Sequence, residues 1–556
     1  MKKKFVALLL AATMVCSVFA CGNESTESTI GEVETSKISE VSSEVKESTS
    51  SGEKVVETEG VSYPLDTKET LTLAMMNYHY KPAGDAKDIT DTHYWEQWQE
   101  RTGVNLEMQI YESEDAYKLM LQGGELPDII IYAPVLYTGQ QEQLIEDGVI
   151  VPLTLEELKK YSPDYVEVLE QFPNSRKLLT TNAGDIYGYA ALTGYNDQVA
   201  TNGLIVRGDW LKDLGLDEPT TPEEFLDMLR AFKTEKGAEY PMALTSHRMT
   251  LLFNYGFFSS PYGLVNGASY VDEEGKYHLG YAEPEFKELL EMVHTMYEEE
   301  LINRDYLTLD QATVDAMLYD GRTGVVQQSV IAGMGTYVPA MNDVNPDAEL
   351  MGIGSLLGPN GEKAFYGATE LECGDWKGMI TTACKNKELA MQFLNYGYTD
   401  EGIMFQNFGT EGVSYEMIDG YPTYTDVVIN NPDGRTVAQG LLQYCRGGSN
   451  WLSVSQLEYF EQSISFPEQK QASIIWNEND RYKYMTPYVT APVEYADEYN
   501  KINADITTYR NEMRAKFISG EESLDNFDIY LQELKARGVD RLIEIMQIAI
   551  DEYNKK

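Results

Sequence analysis

The sequence predicts an α/β protein with a largely parallel sheet and a helical C-terminus. Three observations predict it. Strand and helix patterns alternate from Leu71 to Tyr132, the alternation resumes beyond residue 200, and the last 60 residues carry apolar positions three and four apart. Leu71-Thr72-Leu73-Ala74-Met75-Met76 reads as a buried strand. Thr92 to Thr102 reads as a helix, with Trp95 and Trp98 three apart and Gly103 as its stop. Val104 to Ile110 alternates as a second strand, and Tyr117 to Leu121 belongs to a helix ending at Gly123-Gly124. Leu126-Pro127-Asp128-Ile129-Ile130-Ile131-Tyr132 is a β-branched run suited to a buried strand. Leu204-Ile205-Val206 follows, then a helix over Pro222 to Lys233 opened by Thr221, a helix over Glu285 to Glu300, and Gly324-Val325-Val326. Asp497 to Phe517, Leu524 to Lys535 and Asp540 to Tyr553 form the helical tail.

At roughly 150 residues per domain, 556 residues predict two to four domains with ample chain for real cores. The formal charge is −47, and −50 once Lys2, Lys3 and Lys4 are removed. That balance argues against nucleic acid as a partner, because phosphate neutralisation needs clustered Lys and Arg. It equally argues against binding an anionic membrane through protein charge. Tyrosine is over-used, 39 against 17 Phe, which supplies many flat apolar faces carrying a hydroxyl.

Residues 1–20 read as an export signal: three lysines, then an apolar run from Phe5 to Phe19 that is too short to span a membrane. Val18-Phe19-Ala20-Cys21 resembles the lipobox of bacterial lipoproteins, with Phe19 at a position usually taken by a small residue. The resemblance implies cleavage before Cys21, diacylation of Cys21, and a location on the extracellular face of the cell membrane, held through the lipid alone. Residues 22–60 are Ser, Thr, Glu and Val without an aromatic residue, so segment 21–60 reads as a self-repelling tether.

Cys373, Cys384 and Cys445 have no zinc-site spacing, and a Cys373–Cys384 disulfide is left open. There is no G-x-S-x-G elbow, no H-E-x-x-H and no phosphate loop, and the five histidines lack metal-ligand spacing. No catalytic residue, cofactor or metal is expected.

Several ordered motifs run through the body. They are Leu119-Met120-Leu121-Gln122-Gly123-Gly124-Glu125-Leu126-Pro127-Asp128-Ile129, Gly184-Asp185-Ile186-Tyr187-Gly188-Tyr189, and Val206-Arg207-Gly208-Asp209-Trp210-Leu211 leading to Pro222-Glu223-Glu224-Phe225. Asn407-Phe408-Gly409-Thr410-Glu411-Gly412-Val413-Ser414-Tyr415 follows later. Together they resemble the large sugar-binding branch of extracellular solute-binding lipoproteins of bacterial ABC importers. The resemblance implies two α/β lobes of periplasmic-binding-protein type, joined by hinge strands around a central ligand cleft. It places the first lobe at 61–192 plus 376–410 and the second at 193–375 plus 411–556. It also implies a monomer that delivers a carbohydrate to ABC permease subunits. Relatives in this branch often carry a calcium loop after the helix that here begins at Pro222; Thr234 to Pro241 is too short and too poor in oxygen ligands to form one.

Ligands of open α/β sheets bind beyond the carboxyl ends of strands. Sugar C–H faces stack on aromatic rings, and sugar hydroxyls need planar polar partners. The candidates on that reasoning are Tyr78, His79, Tyr132, Tyr195, Asn196, His247, Arg248, Gln328, Glu372, Trp376, Glu411 and Trp451, with the two tryptophans as stacking platforms in Gly-flanked loops. The alternatives are an extracellular carbohydrate-active hydrolase or lyase, and a peptide-binding transport receptor. The negative charge disfavours polyanionic sugars such as uronates unless a local basic patch overrides it.

Overall fold

The computed structural model describes residues 60–76, 89–123, 125–137, 140–194, 200–369, 372–445, 452–487 and 489–555. The signal, nearly all of the tether, Cys21, Tyr78, His79, Tyr195, Asn196 and Trp451 lie outside them. The strands in chain order are β1 (Thr70–Met76), β2 (Asn105–Tyr111), β3 (Ile129–Tyr132), β4 (Tyr189–Thr193), β5 (Ala200–Arg207), β6 (Ser269–Val271), β7 (Tyr277–Leu279), β8 (Val325–Ser329), β9 (Leu350–Ile353), β10 (Ala368–Thr369), β11 (Cys373–Ile380), β12 (Tyr415–Ile418), β13 (Tyr421–Tyr424) and β14 (Val454–Ser455).

The first sheet has the order β14-β4-β11-β3-β1-β2. Only β11 runs antiparallel to its neighbours β3 and β4. Its register follows from the Leu-Pro-Asp-Ile motif. Asp128 Oδ2 accepts from the Thr72 N–H (2.8 Å) and the Thr72 hydroxyl (2.7 Å), while the Asp128 N–H donates to Thr72 Oγ1 (2.8 Å). This clasp locks β3 onto β1, so Leu73, Ala74 and Met75 face Ile129, Ile130 and Ile131. Helix His93–Thr102 covers the sheet with Trp95 and Trp98 buried and ends at Gly103, in the left-handed region at φ 73°.

The second sheet differs from the expectation of parallel pairing. β5 is central, and β8, β9 and β10 all run antiparallel to it. Its helices pack a core containing Trp210, Phe225, Phe232, Phe253, Leu290 and, from the C-terminal helices, Phe517, Tyr530, Leu542 and Ile545. Helix Pro222–Glu235 opens with a reciprocal capping box between Thr221 and Glu224, as the Thr-Pro-Glu-Glu run dictates.

The chain passes between these bodies several times. Thr193 ends β4 in the first sheet and Ala200 opens β5 in the second. β10 lies in the second sheet and β11 in the first. Phe405 belongs to the first core, whereas Phe408, on the same helix (Asp400–Phe408), belongs to a core of the second body. Leu452 and Val454 then return to the first core. The assignment of all of 411–556 to the second lobe is therefore corrected at these residues. Asn407 fixes the return: its Nδ2 donates to the Val454 carbonyl (2.8 Å), and its Oδ1 accepts from the Gln456 N–H (3.0 Å).

Candidate functional site

In the first sheet the parallel strands end at Met76, Tyr111, Tyr132, Thr193 and Ser455, and the connection to β5 departs from that edge. In the second sheet, Ser329 at the carboxyl end of β8 pairs with Asn202, two residues into β5. The carboxyl end of β8 therefore lies at the crossing between the lobes, where an open α/β fold places its ligand.

A polar cluster occupies that end. Helix Ser246–Asn254 is capped by Thr245, whose hydroxyl oxygen accepts from the Arg248 N–H (3.2 Å), and this sets Arg248 in the first turn. The Arg248 side chain donates from Nε to Gln311 Oε1 (3.2 Å), from Nη1 to Gln327 Oε1 (3.2 Å) and from Nη2 to Gln328 Oε1 (2.6 Å). Gln327 and Gln328 are buried on β8, at 1% and 9% exposure. Asp315 meets the guanidinium only through intermediaries: its Oδ1 accepts from Gln311 Nε2 (2.9 Å) and from the Tyr337 hydroxyl (2.5 Å). Burial pulls the Arg248 pKa below its ordinary value, while the nearby Tyr337 and Asp315 oppose the shift. Burial and the Asp315 hydrogen bond push the Tyr337 phenol well above its ordinary value, so it stays a donor. His247 is exposed beside Arg248 on the same turn.

The lobes also meet along a second line. A cavity is lined by Gln141, Lys177 and Asn182 of the first lobe and by Thr490, Glu552 and Tyr553 from the C-terminal segment of the second. Lys177 Nζ lies 3.9 Å from the centroid of the Tyr553 ring.

The other expected residues have different roles. Tyr132 is fully buried, stacked on Tyr117 at 4.9 Å and 3°, so its ring belongs to the first core; this corrects its assignment as a ligand contact. Glu372 Oε1 accepts from the Ser175 N–H (3.0 Å) and hydroxyl (2.5 Å), so its carboxylate anchors helix Pro173–Leu179. Trp376 lies within β11, half-buried against the first core, and this corrects its placement in a loop. Glu411 is exposed on the turn before β12, where Gly412 N–H meets the Tyr415 carbonyl (2.8 Å). Of the expected residues that the structure describes, it brings together Arg248 and Gln328, with His247 adjacent. Sequence reasoning missed Gln311, Asp315 and Tyr337 because nothing local marks them; they reach Arg248 only through tertiary packing.

Among the described residues, no three His, Cys, Asp or Glu side chains group as a metal site, and no helix is long and apolar enough to cross a membrane. Cys373 and Cys384 are not joined in a disulfide.

The family model for bacterial extracellular solute-binding proteins matches residues 84–404. The chain is similar to the fructooligosaccharide ABC transporter substrate-binding protein FusA of Streptococcus pneumoniae, 24% identical over 519 residues that cover 89% of this chain and 92% of FusA. It is similar to lipoprotein LipO of Bacillus subtilis, 25% identical over 447 residues, 77% of this chain and 82% of LipO. Among solved structures, alginate-binding protein AlgQ2 without calcium ion superposes with a TM-score of 0.71 at 22% identity, covering 88% of this chain and 99% of that one. FusA in complex with kestose gives 0.68 at 21% identity, covering 88% and 100%. The fold is the two-lobe α/β fold of these proteins, and the chain belongs to the bacterial extracellular solute-binding protein family.

Proposed function

We propose that this protein is the substrate-binding component of an ABC importer and captures an oligosaccharide between its lobes. The observation that carries the reading is the Arg248–Gln311–Gln327–Gln328 cluster at the inter-lobe end of β8. Planar amides and a guanidinium, fixed by their own hydrogen bonds, are pre-organised to meet the ring oxygens and hydroxyls of a sugar. The names of FusA and AlgQ2, a fructooligosaccharide and an alginate binder, support a carbohydrate ligand.

The mechanism follows from the two bodies. Each lobe presents half of the site, and the ligand stabilises the closed form through contacts that only this form completes. The closed form docks on the permease, and the ligand leaves chemically unchanged. The lobes are residues 61–192 plus 376–410 and residues 193–375 plus 411–556, with Leu452 to Ser455 joined to the first. Cys21 carries the lipid that holds a monomeric receptor at the extracellular face of the membrane.

The test is a thermal-shift screen against neutral and acidic oligosaccharides, with reducing ends assayed in the same wells. A ligand at a hundred times its dissociation constant stabilises the fold by about 2.7 kcal/mol. Stabilisation without new reducing ends supports the receptor. Turnover of the glycan supports a hydrolase or lyase instead, and stabilisation by peptides alone supports a peptide receptor. Intact mass of the mature N-terminus, with Cys21→Ala as control, tests the anchor.

A further inference from the structure

We propose that the Arg248 cluster receives an anionic group, the carboxylate of an acidic sugar, and so makes this a receptor for uronate-containing oligosaccharides. The proposal rests on the oligosaccharide reading above and adds the chemical class of the ligand. It follows from counting donors against acceptors.

On the donor side the cluster has a surplus. Three of the five guanidinium N–H groups of Arg248 donate to glutamine oxygens, leaving one on each Nη atom without an acceptor among the described residues. Gln327 Nε2 is buried and has no hydrogen-bond partner, in a residue only 1% exposed. A buried amide nitrogen left unsatisfied costs roughly 1–3 kcal/mol. On the acceptor side, the glutamine oxygens nearest Arg248 are engaged by it. Gln311 and Gln327 give their oxygens to Arg248. Gln328 Oε1 takes both Arg248 and the Ser329 N–H (2.9 Å), and Asp315 Oδ1 takes both Gln311 and Tyr337. A carboxylate brings acceptors alone and so matches these N–H groups.

Charge points the same way. Arg230 is held by Glu223, Asp227 and Glu299. Among the described residues Arg248 has no carboxylate within ion-pair distance; three neutral amides take its hydrogen bonds, and Asp315 is joined to it through Gln311. A half-buried guanidinium at the lobe crossing whose direct hydrogen-bond partners are all neutral suits an incoming anion. The chain's overall negative charge opposes that anion only weakly. At physiological ionic strength, fields decay over about 8 Å, so charges spread across the surface slow encounter more than they weaken a contact made at hydrogen-bond distance.

The experiment titrates the mature protein calorimetrically with tri- to pentasaccharides of galacturonate, glucuronate and mannuronate, each beside its carboxyl-reduced counterpart. Reduction removes the carboxylate and keeps the linkage. At least one uronate oligosaccharide should bind about tenfold or more tighter than its reduced form, the scale of one charge-assisted hydrogen bond. Arg248→Gln should bring that ratio to within about twofold, and Arg248→Lys, which keeps the charge and loses the fork, should fall between. Melting curves of both variants report whether the fold is intact. Equal or tighter binding of the reduced forms, or binding confined to neutral oligosaccharides, overturns the proposal while leaving the oligosaccharide receptor standing. If no oligosaccharide of either kind binds, the receptor reading falls and this proposal with it.

Discussion

Lys177 and Tyr553 provide a direct measure of how the lobes are held together. Lys177 lies on helix Pro173–Leu179 of the first lobe, and Tyr553 lies on helix Val539–Lys555, whose Leu542, Ile545 and Ile550 are rooted in the second core. The ammonium sits 3.9 Å from the ring centroid, a cation–π contact between partly exposed groups, worth about 1 kcal/mol. That energy corresponds to roughly fivefold in an equilibrium constant. If separating the lobes breaks the contact, its loss lowers the closed-to-open ratio about fivefold and raises the apparent dissociation constant of any closure-dependent ligand by up to the same factor. Lys177→Met keeps the aliphatic stem and removes the charge; Tyr553→Leu keeps apolar bulk and removes the π face. Calorimetric titration of each variant with the best oligosaccharide from the screen should show a two- to fivefold weakening. The double variant should be no weaker than the worse single one, because the two substitutions delete one shared contact. Unchanged or tighter binding in both single variants, or fully additive losses in the double, would refute the latch.

Gly203 lies on β5 opposite Gln328, and a Cβ there would meet the Trp476 ring at 2.0 Å. Gly203→Ala should therefore destabilise the protein by about 1–3 kcal/mol in urea unfolding and weaken ligand binding, since Trp476, bonded through Nε1 to the Ile353 carbonyl (3.0 Å), must move. Thr221→Ala removes a helix cap and should cost about 1 kcal/mol of stability in the same assay without changing ligand affinity. Acid should destabilise the fold. The Arg230 guanidinium bonded to Glu299, and the Thr220 N–H and hydroxyl bonded to Glu224, hold both carboxyls below their usual range. The unfolded chain then binds more protons, so this stabilisation is complete above the unfolded carboxyl pKa, about 4.3, and is lost as pH falls through the folded values. A melting temperature that rises below pH 4 would contradict this. Burial pushes the Cys384 thiol up to about 11 and also raises Cys373, so neither should alkylate readily at neutral pH until denaturant is added, as read by intact mass.

What was legible in the sequence and what was not divides along the range of the interactions. Thr221-Pro222-Glu223-Glu224 contains its whole cap within four residues, and the helix starts where it says. Asp128 stands at the entry of β3 and is clasped there by Thr72, which lies 56 residues away. The first sheet could be read because parallel strands buried on both faces show as continuous apolar runs. The return of Leu452 and Val454 to the first core could not: β14 is two residues long, and Asn407, 47 residues earlier, fixes it. The candidate site divides the same way. A rule that looks near strand ends finds Arg248 and Gln328, because helix Ser246–Asn254 starts and β8 ends there. It mistakes Tyr132, which occupies the last position of β3 yet turns its ring onto Tyr117. It also misses Gln311, Asp315 and Tyr337, which sit within helices and acquire meaning only when Arg248 is folded against them. Residues that contact a ligand are partly visible from position along the chain; residues that orient them are selected by a partner distant in sequence. The specificity of such a cleft is written in that second group, and three glutamine oxygens turned toward one guanidinium identify it.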